Sequence, residues 1–185
     1  MKSIAVYLGS APSCKPVFKD LAHELGRYIA DAGLTLVYGG AAVGTMGALA
    51  DGALEAGGRV VGVFPRDFLG TREVRESGLE VVRKGLSELI ETADFAERKQ
   101  VMEDLSDGCI VMPGSFGTLD ELFTYACNRA IDKHVKPIFV FNFEDYYAPL
   151  KQLLANMQEA GFMKPVMAGA ITFCDTIEEI VAYLK

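Results

Sequence analysis

The sequence is short of the residues that hold metals or staple a secreted fold. It has two histidines, His23 and His134, and four cysteines, Cys14, Cys109, Cys127 and Cys174, with no C-x-x-C pair among them. No dedicated zinc or iron site is therefore expected. The thiols read as reduced, mostly buried groups of a cytoplasmic protein. Long apolar runs are missing too. None approaches the ~20 residues a membrane span needs, and the stretch Ile4–Leu8 behind Met1-Lys2 is too short for the core of a secretion signal. Basic residues are outnumbered 18 to 25, leaving a net charge of −7. That balance argues against a nucleic-acid backbone or an anionic membrane as the main partner, because both reward a basic surface. An anionic ligand must then be held by local donors.

Half of the 185 residues are apolar, enough for one domain, 1–185, with a full core. Short apolar runs alternate with helical patterns, the signature of an α/β, Rossmann-like, doubly wound and mostly parallel sheet with helices on both faces. Strands are expected near 3–8, 34–38, 59–64, 79–83, 108–112, 136–142 and 170–173. Helices are expected near 16–32, 44–57, 86–106, 117–131, 147–160 and 176–184, with Gly33, Gly57-Gly58 and Gly161 as their stops. The polar stretch 66–78 reads as a surface loop with room for a short helix.

Three strand ends are glycine-rich: Gly9-Ser10, Gly39-Gly40 and Pro113-Gly114. In open α/β sheets ligands bind where such ends meet, near the point where strand order reverses. The last is the most informative. After Cys109–Met112 the chain turns through Pro113-Gly114-Ser115-Phe116-Gly117-Thr118 into a segment carrying Asp120 and Glu121. Glycines let backbone N–H groups approach a ligand, and the helix start adds free donors and a positive dipole end, so a phosphate is the expected guest. Glu121 would lie roughly 5 Å further along the axis, within reach of a nucleotide's sugar. The alternative is a helix entry whose acids merely complement the dipole.

Around Tyr38-Gly39-Gly40-Ala41-Ala42-Val43-Gly44-Thr45-Met46-Gly47 the spacing departs from G-x-G-x-x-G, and the next strand ends in Phe64-Pro65-Arg66 where a nicotinamide site wants an acid. Gly47 and Ala50 read as packing positions. Arg98 and Lys99 fall in the pattern 86–106, whose core stripe is Leu86, Leu89, Ile90 and Ala93. From spacing alone Arg98 is either functional or an i,i+4 surface partner of Asp94. His134 reads as a solvated loop histidine, and Phe139, Phe141, Phe143, Tyr146 and Tyr147 as strand core and rim more than a base-stacking box.

These motifs resemble the LOG (Lonely Guy) family, also labelled as possible lysine decarboxylases. Its P-G-G-x-G-T-x-x-E element stands here as Pro113–Glu121, its E-R-K as Glu97-Arg98-Lys99, its Y-G-G-G-x-x-G-x-M-G as Tyr38–Gly47, and its early C-G-S-S as Leu8-Gly9-Ser10-Ala11. Lys136-Pro137 and Asp145-Tyr146-Tyr147 match further on. The resemblance implies a Rossmann-like homodimer, with no cofactor, that hydrolyses the N-glycosidic bond of nucleoside 5′-monophosphates such as AMP or cytokinin riboside monophosphates. It makes Arg98 and Glu121 the catalytic pair, Gly114, Gly117 and Thr118 the phosphate binders, and Gly9, Ser10, Gly39, Gly40, Lys99 and Ser115 further substrate contacts. The dimer is expected to form on an apolar outer face of the helix 86–106.

Departures from the family pattern are Ser115 for a glycine, which would be strained if φ were positive, Ala41 for another, Phe95-Ala96 for Met-His, and Cys127-Asn128 for Thr-Trp. The last exchange puts base specificity, and prenylated substrates above all, in doubt. Competing readings are a non-catalytic nucleotide or molybdenum-cofactor carrier of related fold and a literal lysine decarboxylase. The latter would need a Schiff-base lysine, and nothing in the sequence marks Lys99 or Lys133 as one.

Overall fold

A computed structural model describes residues 1–69, 82–164, 167 and 169–184. Seven strands form a single sheet: β1 (Ser3–Tyr7), β2 (Thr35–Tyr38), β3 (Val60–Pro65), β4 (Glu88–Thr92), β5 (Cys109–Val111), β6 (Ile138–Phe141) and β7 (Ile171–Cys174). Every pairing is parallel, in the order β4-β3-β2-β1-β5-β6-β7. The helices are α1 (Pro16–Asp31), α2 (Gly44–Glu55), α3 (Arg66–Leu69), α4 (Phe95–Asp104), α5 (Phe116–Ala130), α6 (Ala148–Glu159) and α7 (Ile177–Leu184). Among these described residues no helix is long and apolar enough to cross a membrane.

Alternation along β1 builds both layers. Ile4, Val6 and Leu8 pack with Leu25, Ile29, Leu49 and Ile180 of α1, α2 and α7, while Ala5 and Tyr7 pack with Met102, Leu122, Tyr125 and Leu154 of α4, α5 and α6. A central parallel strand buried on both faces must be apolar throughout, which is why β1, β2, β5 and β6 were readable. Strand order reverses between β1 and β5, so the crevice opens at their carboxyl ends, over Gly9-Ser10 and Pro113-Gly114.

The helix expected over 86–106 is two elements. Leu89 and Ile90 belong to the edge strand β4, in register with Gly62 and Val63, and the helix begins only at Phe95. Asp94 stops any continuous helix. Its carboxylate accepts a hydrogen bond from Glu97 N (2.8 Å) while Glu97 Oε2 accepts one from Ala93 N (2.5 Å), a reciprocal N-terminal cap. The D-x-x-E signature was present in the sequence, but leucines at helical spacing masked an edge strand whose outer residues face solvent. The exposed side of α4 carries Glu97, Gln100 and Asp104 beside Phe95 and Ala96, a mixed face rather than the wholly apolar one expected. The strand expected at 79–83 lies mostly outside the described residues; Val82 makes one antiparallel bridge to Ala41. Of the stretch 66–78, residues 66–69 form α3 and 70–78 lie outside the described residues.

Candidate active site

Three glycine turns meet at the switch point. The β1 turn lies on the β5 turn, since a Cβ on Gly114 would stand 3.0 Å from Gly9 N and one on Gly9 3.5 Å from Gly114 Cα. The β2 turn closes on the β1 turn from the other side. Gly44, at φ +63°, leaves no room for a side chain against the Ser10 carbonyl (2.5 Å), and the Thr45 hydroxyl donates to Gly9 O. Gly40, at φ +76°, runs so close to Phe64 that a Cβ would stand 3.3 Å from its side chain. Gly47 packs on the Ala42 backbone, as its packing role requires.

The β5 turn presents Ser115, Phe116 and Gly117 to solvent over buried Thr118 and Glu121. A Cβ on Gly114 would fall 2.1 Å from Thr118 Oγ1, so only glycine lets the threonine sit beneath the turn. Ser115 has φ −111° and ψ −148°, a conformation open to any residue, so the strain expected from its replacing a glycine is absent.

Glu121, on the second turn of α5, is 4 % exposed, and Arg98 on α4 is 9 % exposed. Arg98 Nη2 donates to Glu121 Oε1, so Arg98 is not the surface partner of Asp94. Burial pushes the Glu121 carboxyl up to about 6, and the opposing charge and hydrogen bond of Arg98 keep the rise from being larger. Arg98 Nε is buried and has no hydrogen-bond partner among the described residues, leaving a donor for a ligand. The guanidinium also lies over the Phe95 ring, 5.2 Å from its centroid, and Phe95 continues edge-to-face through Phe68 to Phe64. A Cβ on Gly39 would come 3.4 Å from Arg98 Nη1. Arg98 therefore bridges the β5 side of the crevice to the β2 side, where Gly39, Gly40, Met46 and the phenylalanines lie.

Lys99 is placed differently from its neighbour. Its Nζ donates to both Asp120 oxygens (2.9 and 2.7 Å) and to Thr124 Oγ1 (3.0 Å), tying α4 to the outer flank of α5. Lys133 is exposed beyond the far end of α5. Neither offers the free amine in the crevice that a pyridoxal-phosphate Schiff base requires, so the site does not fit that cofactor.

Two further expectations are corrected. The His134 side chain is 7 % exposed, not solvated: its ring packs on Tyr125 (4.6 Å between centroids) with Nε2 3.7 Å from Glu103 Oε2, and desolvation pulls its pKa down. Asn128 donates to Glu103 Oε2 (2.8 Å), two turns of α5 away from Glu121, so it does not shape the base side of the crevice in this chain. The aromatic residues divide as expected for core and rim: Phe139, Phe141 and Tyr147 are buried, while Tyr146 is 44 % exposed. Sequence reasoning missed Thr45, Met46 and Phe95 as crevice residues. The first two lay inside the Tyr38–Gly47 element but carried no separate signal.

A family model described as "Possible lysine decarboxylase" matches residues 46–184. A cytokinin riboside 5′-monophosphate phosphoribohydrolase of Rhodococcoides fascians is 36 % identical over 184 residues, covering 100 % of this chain and 89 % of its own. The enzyme of the same name from Mycobacterium tuberculosis is 36 % identical over 177 residues, covering 96 % and 90 %. In fold, the chain is similar to the molybdenum cofactor binding protein of Rippkaea orientalis (TM-score 0.70, 22 % identity, 100 % and 96 % covered) and to the molybdenum cofactor carrier protein of Chlamydomonas reinhardtii (TM-score 0.71, 20 % identity, the same coverage). The capped Arg98 helix and the Pro113–Glu121 turn both fall within the matched segment, and the chain belongs to this possible lysine decarboxylase, or LOG, family.

Proposed function

We propose that the chain is a phosphoribohydrolase that cleaves the N-glycosidic bond of nucleoside 5′-monophosphates, releasing the free base and ribose 5-phosphate. The observation that carries this reading is the buried Arg98–Glu121 pair beneath a glycine turn at a helix N-terminus. The names of the relatives at 36 % identity support it.

The 5′-phosphate sits against the N–H groups of the Gly114–Thr118 turn, where the helix dipole favours it. Glu121 then lies at the ribose. Breaking the bond from C1′ to the base nitrogen builds oxocarbenium character on the sugar, which the carboxylate stabilises while it takes a proton from the water that attacks C1′. Arg98 orients that carboxylate and favours its ionised form. Lys99 holds α4 against α5 and so keeps Arg98 in place. The base points across Arg98 toward Gly39, Met46 and Phe95, an apolar side that accepts adenine and an apolar substituent on it. Because Asn128 is turned away, the exchange at 127–128 gives no ground in this chain for preferring plain AMP over prenylated substrates.

The active form we propose is a cytoplasmic homodimer. Its contact lies not on α4 but between α5 and α6, where Phe123, Ala126, Leu154, Met157 and Met163 line an apolar groove of about 450 Å³ beside the projecting Phe162 and Val135. Knob and hollow on one surface suit an isologous pair.

Purified protein incubated with AMP and with isopentenyladenosine monophosphate is expected to release free base, read by chromatography, with adenosine inert. Glu121→Gln should bind nucleotide but release base at least a hundredfold more slowly, the lower range for a lost general base. Binding without release by the unmodified chain would favour a carrier instead.

A further inference from the structure

Three consecutive carbonyls lead into α5, and each is held by a donor from another segment. Tyr147 Oη donates to Met112 O (2.8 Å), Gly9 N to Pro113 O (3.4 Å) and Tyr146 Oη to Gly114 O (2.7 Å). We propose that Tyr146, seconded by Tyr147, is a positioning residue that locks the peptide Gly114–Ser115 in the orientation that binds a phosphoryl group. The idea rests on the phosphate reading of that turn.

The C=O and N–H of a trans peptide point in opposite directions. Anchoring Gly114 O on the Tyr146 side therefore turns Ser115 N–H the other way, away from the tyrosines. A flip of this peptide would change ψ of Gly114, which a residue without a Cβ tolerates, and φ of Ser115. A flip would exchange a donor for a carbonyl oxygen and place partial negative charge against a dianion. Tyr146 opposes that flip, because its hydroxyl would lose the Gly114 carbonyl.

The segment holding the tyrosines is built for the purpose. Glu144 and Asp145, neither of them glycine, take left-handed backbone at φ 50° and 58°, a conformation that persists only where its surroundings over-determine it. Asn142, 3 % exposed, supplies the constraint: its N donates to Cys174 O (2.7 Å), its Nδ2 to Asp175 Oδ1 (2.9 Å) and Asp145 Oδ1 (3.3 Å), and its Oδ1 accepts from Tyr147 N (2.8 Å). The Tyr146 ring is braced edge-on by Phe18 of α1 at 5.9 Å and by Tyr147 at 4.9 Å. The phosphate turn is thus fastened from the β6 and β7 side, while Glu121 and Arg98 approach it from the other.

The test is Tyr146→Phe, which keeps the ring and its packing and removes only the hydroxyl at a half-exposed site. KM for AMP and the inhibition constant of inorganic phosphate should both rise roughly two- to tenfold, the span that one lost hydrogen bond supplies. The kcat should stay within about twofold, because the proton-taking carboxylate is untouched. Calorimetric titration with ribose 5-phosphate should show the same weakening without turnover. Unchanged phosphate inhibition in the variant, or a fall in kcat at constant KM, would overturn the positioning role while leaving the turn as the phosphate site. If wild-type protein binds neither inorganic phosphate nor ribose 5-phosphate, the phosphate reading falls and the positioning role with it.

Discussion

Titration of Glu121 gives the sharpest test of the site. The carboxyl rises from an ordinary value of 4.5 to about 6 because burial disfavours its charge more than Arg98 restores it. If the ionised form is the working one, kcat/KM falls about tenfold per pH unit below 6 and stands about elevenfold under its plateau at pH 5. The acid limb alone does not assign the group, because a nucleotide's phosphate also takes up a proton near pH 6. Arg98→Met separates the two. Losing the guanidinium removes the two largest influences that lower the Glu121 value and leaves only the smaller one of Lys99, so the limb must move to higher pH even as the plateau drops, while the substrate's own titration stays where it was. The assay is initial-rate base release from AMP between pH 4.5 and 8.5 in both proteins. A limb at the same pH in both would refute the assignment of Glu121 as the titrating carboxylate. The same shift bears on stability. A carboxyl whose folded value is raised keeps its proton longer in the native state than in the unfolded chain, so its contribution falls as pH rises from about 4.5 through 6 and stays lost above. From 4.5 to about 6 that amounts to about 2 kcal/mol. The buried acid is therefore a cost at neutral pH, and thermal denaturation at pH 5 and pH 7 should show a smaller difference in Glu121→Gln than in the unmodified chain.

Other outcomes follow from the geometry. Gly114→Ala places a methyl 2.1 Å from Thr118 Oγ1 and should abolish turnover and lower the melting temperature, whereas Gly39→Ala, meeting the flexible ends of Met46 at 3.2 Å and Arg98 at 3.4 Å, should fold normally. Ser115→Gly, introduced at a φ of −111° that any residue adopts, should stabilise nothing, and a gain in melting temperature would revive the strain argument. Asp94→Ala removes the α4 cap and should cost about 1 kcal/mol, or about 2–4 °C in melting temperature, with kcat falling because Arg98 rides on the first turns of that helix. Phe162→Asp should convert the proposed dimer to a monomer in light scattering at micromolar concentration; a dimer that survives places the contact elsewhere.

Much of the molecule was legible from local patterns because its physics is local. Alternating apolar runs become buried parallel strands, and glycine with a small hydroxyl residue after such a strand makes a tight turn into a helix. Pro113–Glu121 was readable for that reason, and so was the set of glycine turns that converge on the switch point. The helix over 86–106 was misread where two local signals conflicted. Leu86, Leu89 and Ile90 have helical spacing, but the Asp94–Glu97 cap ends that pattern, and pairing with β3 turned the first part into an edge strand.

The order of motifs, the acidic balance of charge and the residue types of a glycine turn with a following acid were written in the sequence by itself. Only tertiary structure decided the rest, since each depends on groups distant along the chain. Arg98 and Glu121 are 23 residues apart, and only the packing of α4 on α5 turns an ambiguous surface arginine into a buried partner that sets a carboxyl near 6. His134 became a packed residue because Tyr125 and Glu103 close over it. Tyr146 reaches Gly114 across 32 residues, a contact that no local pattern encodes because it depends on two neighbouring strands of one sheet ending side by side.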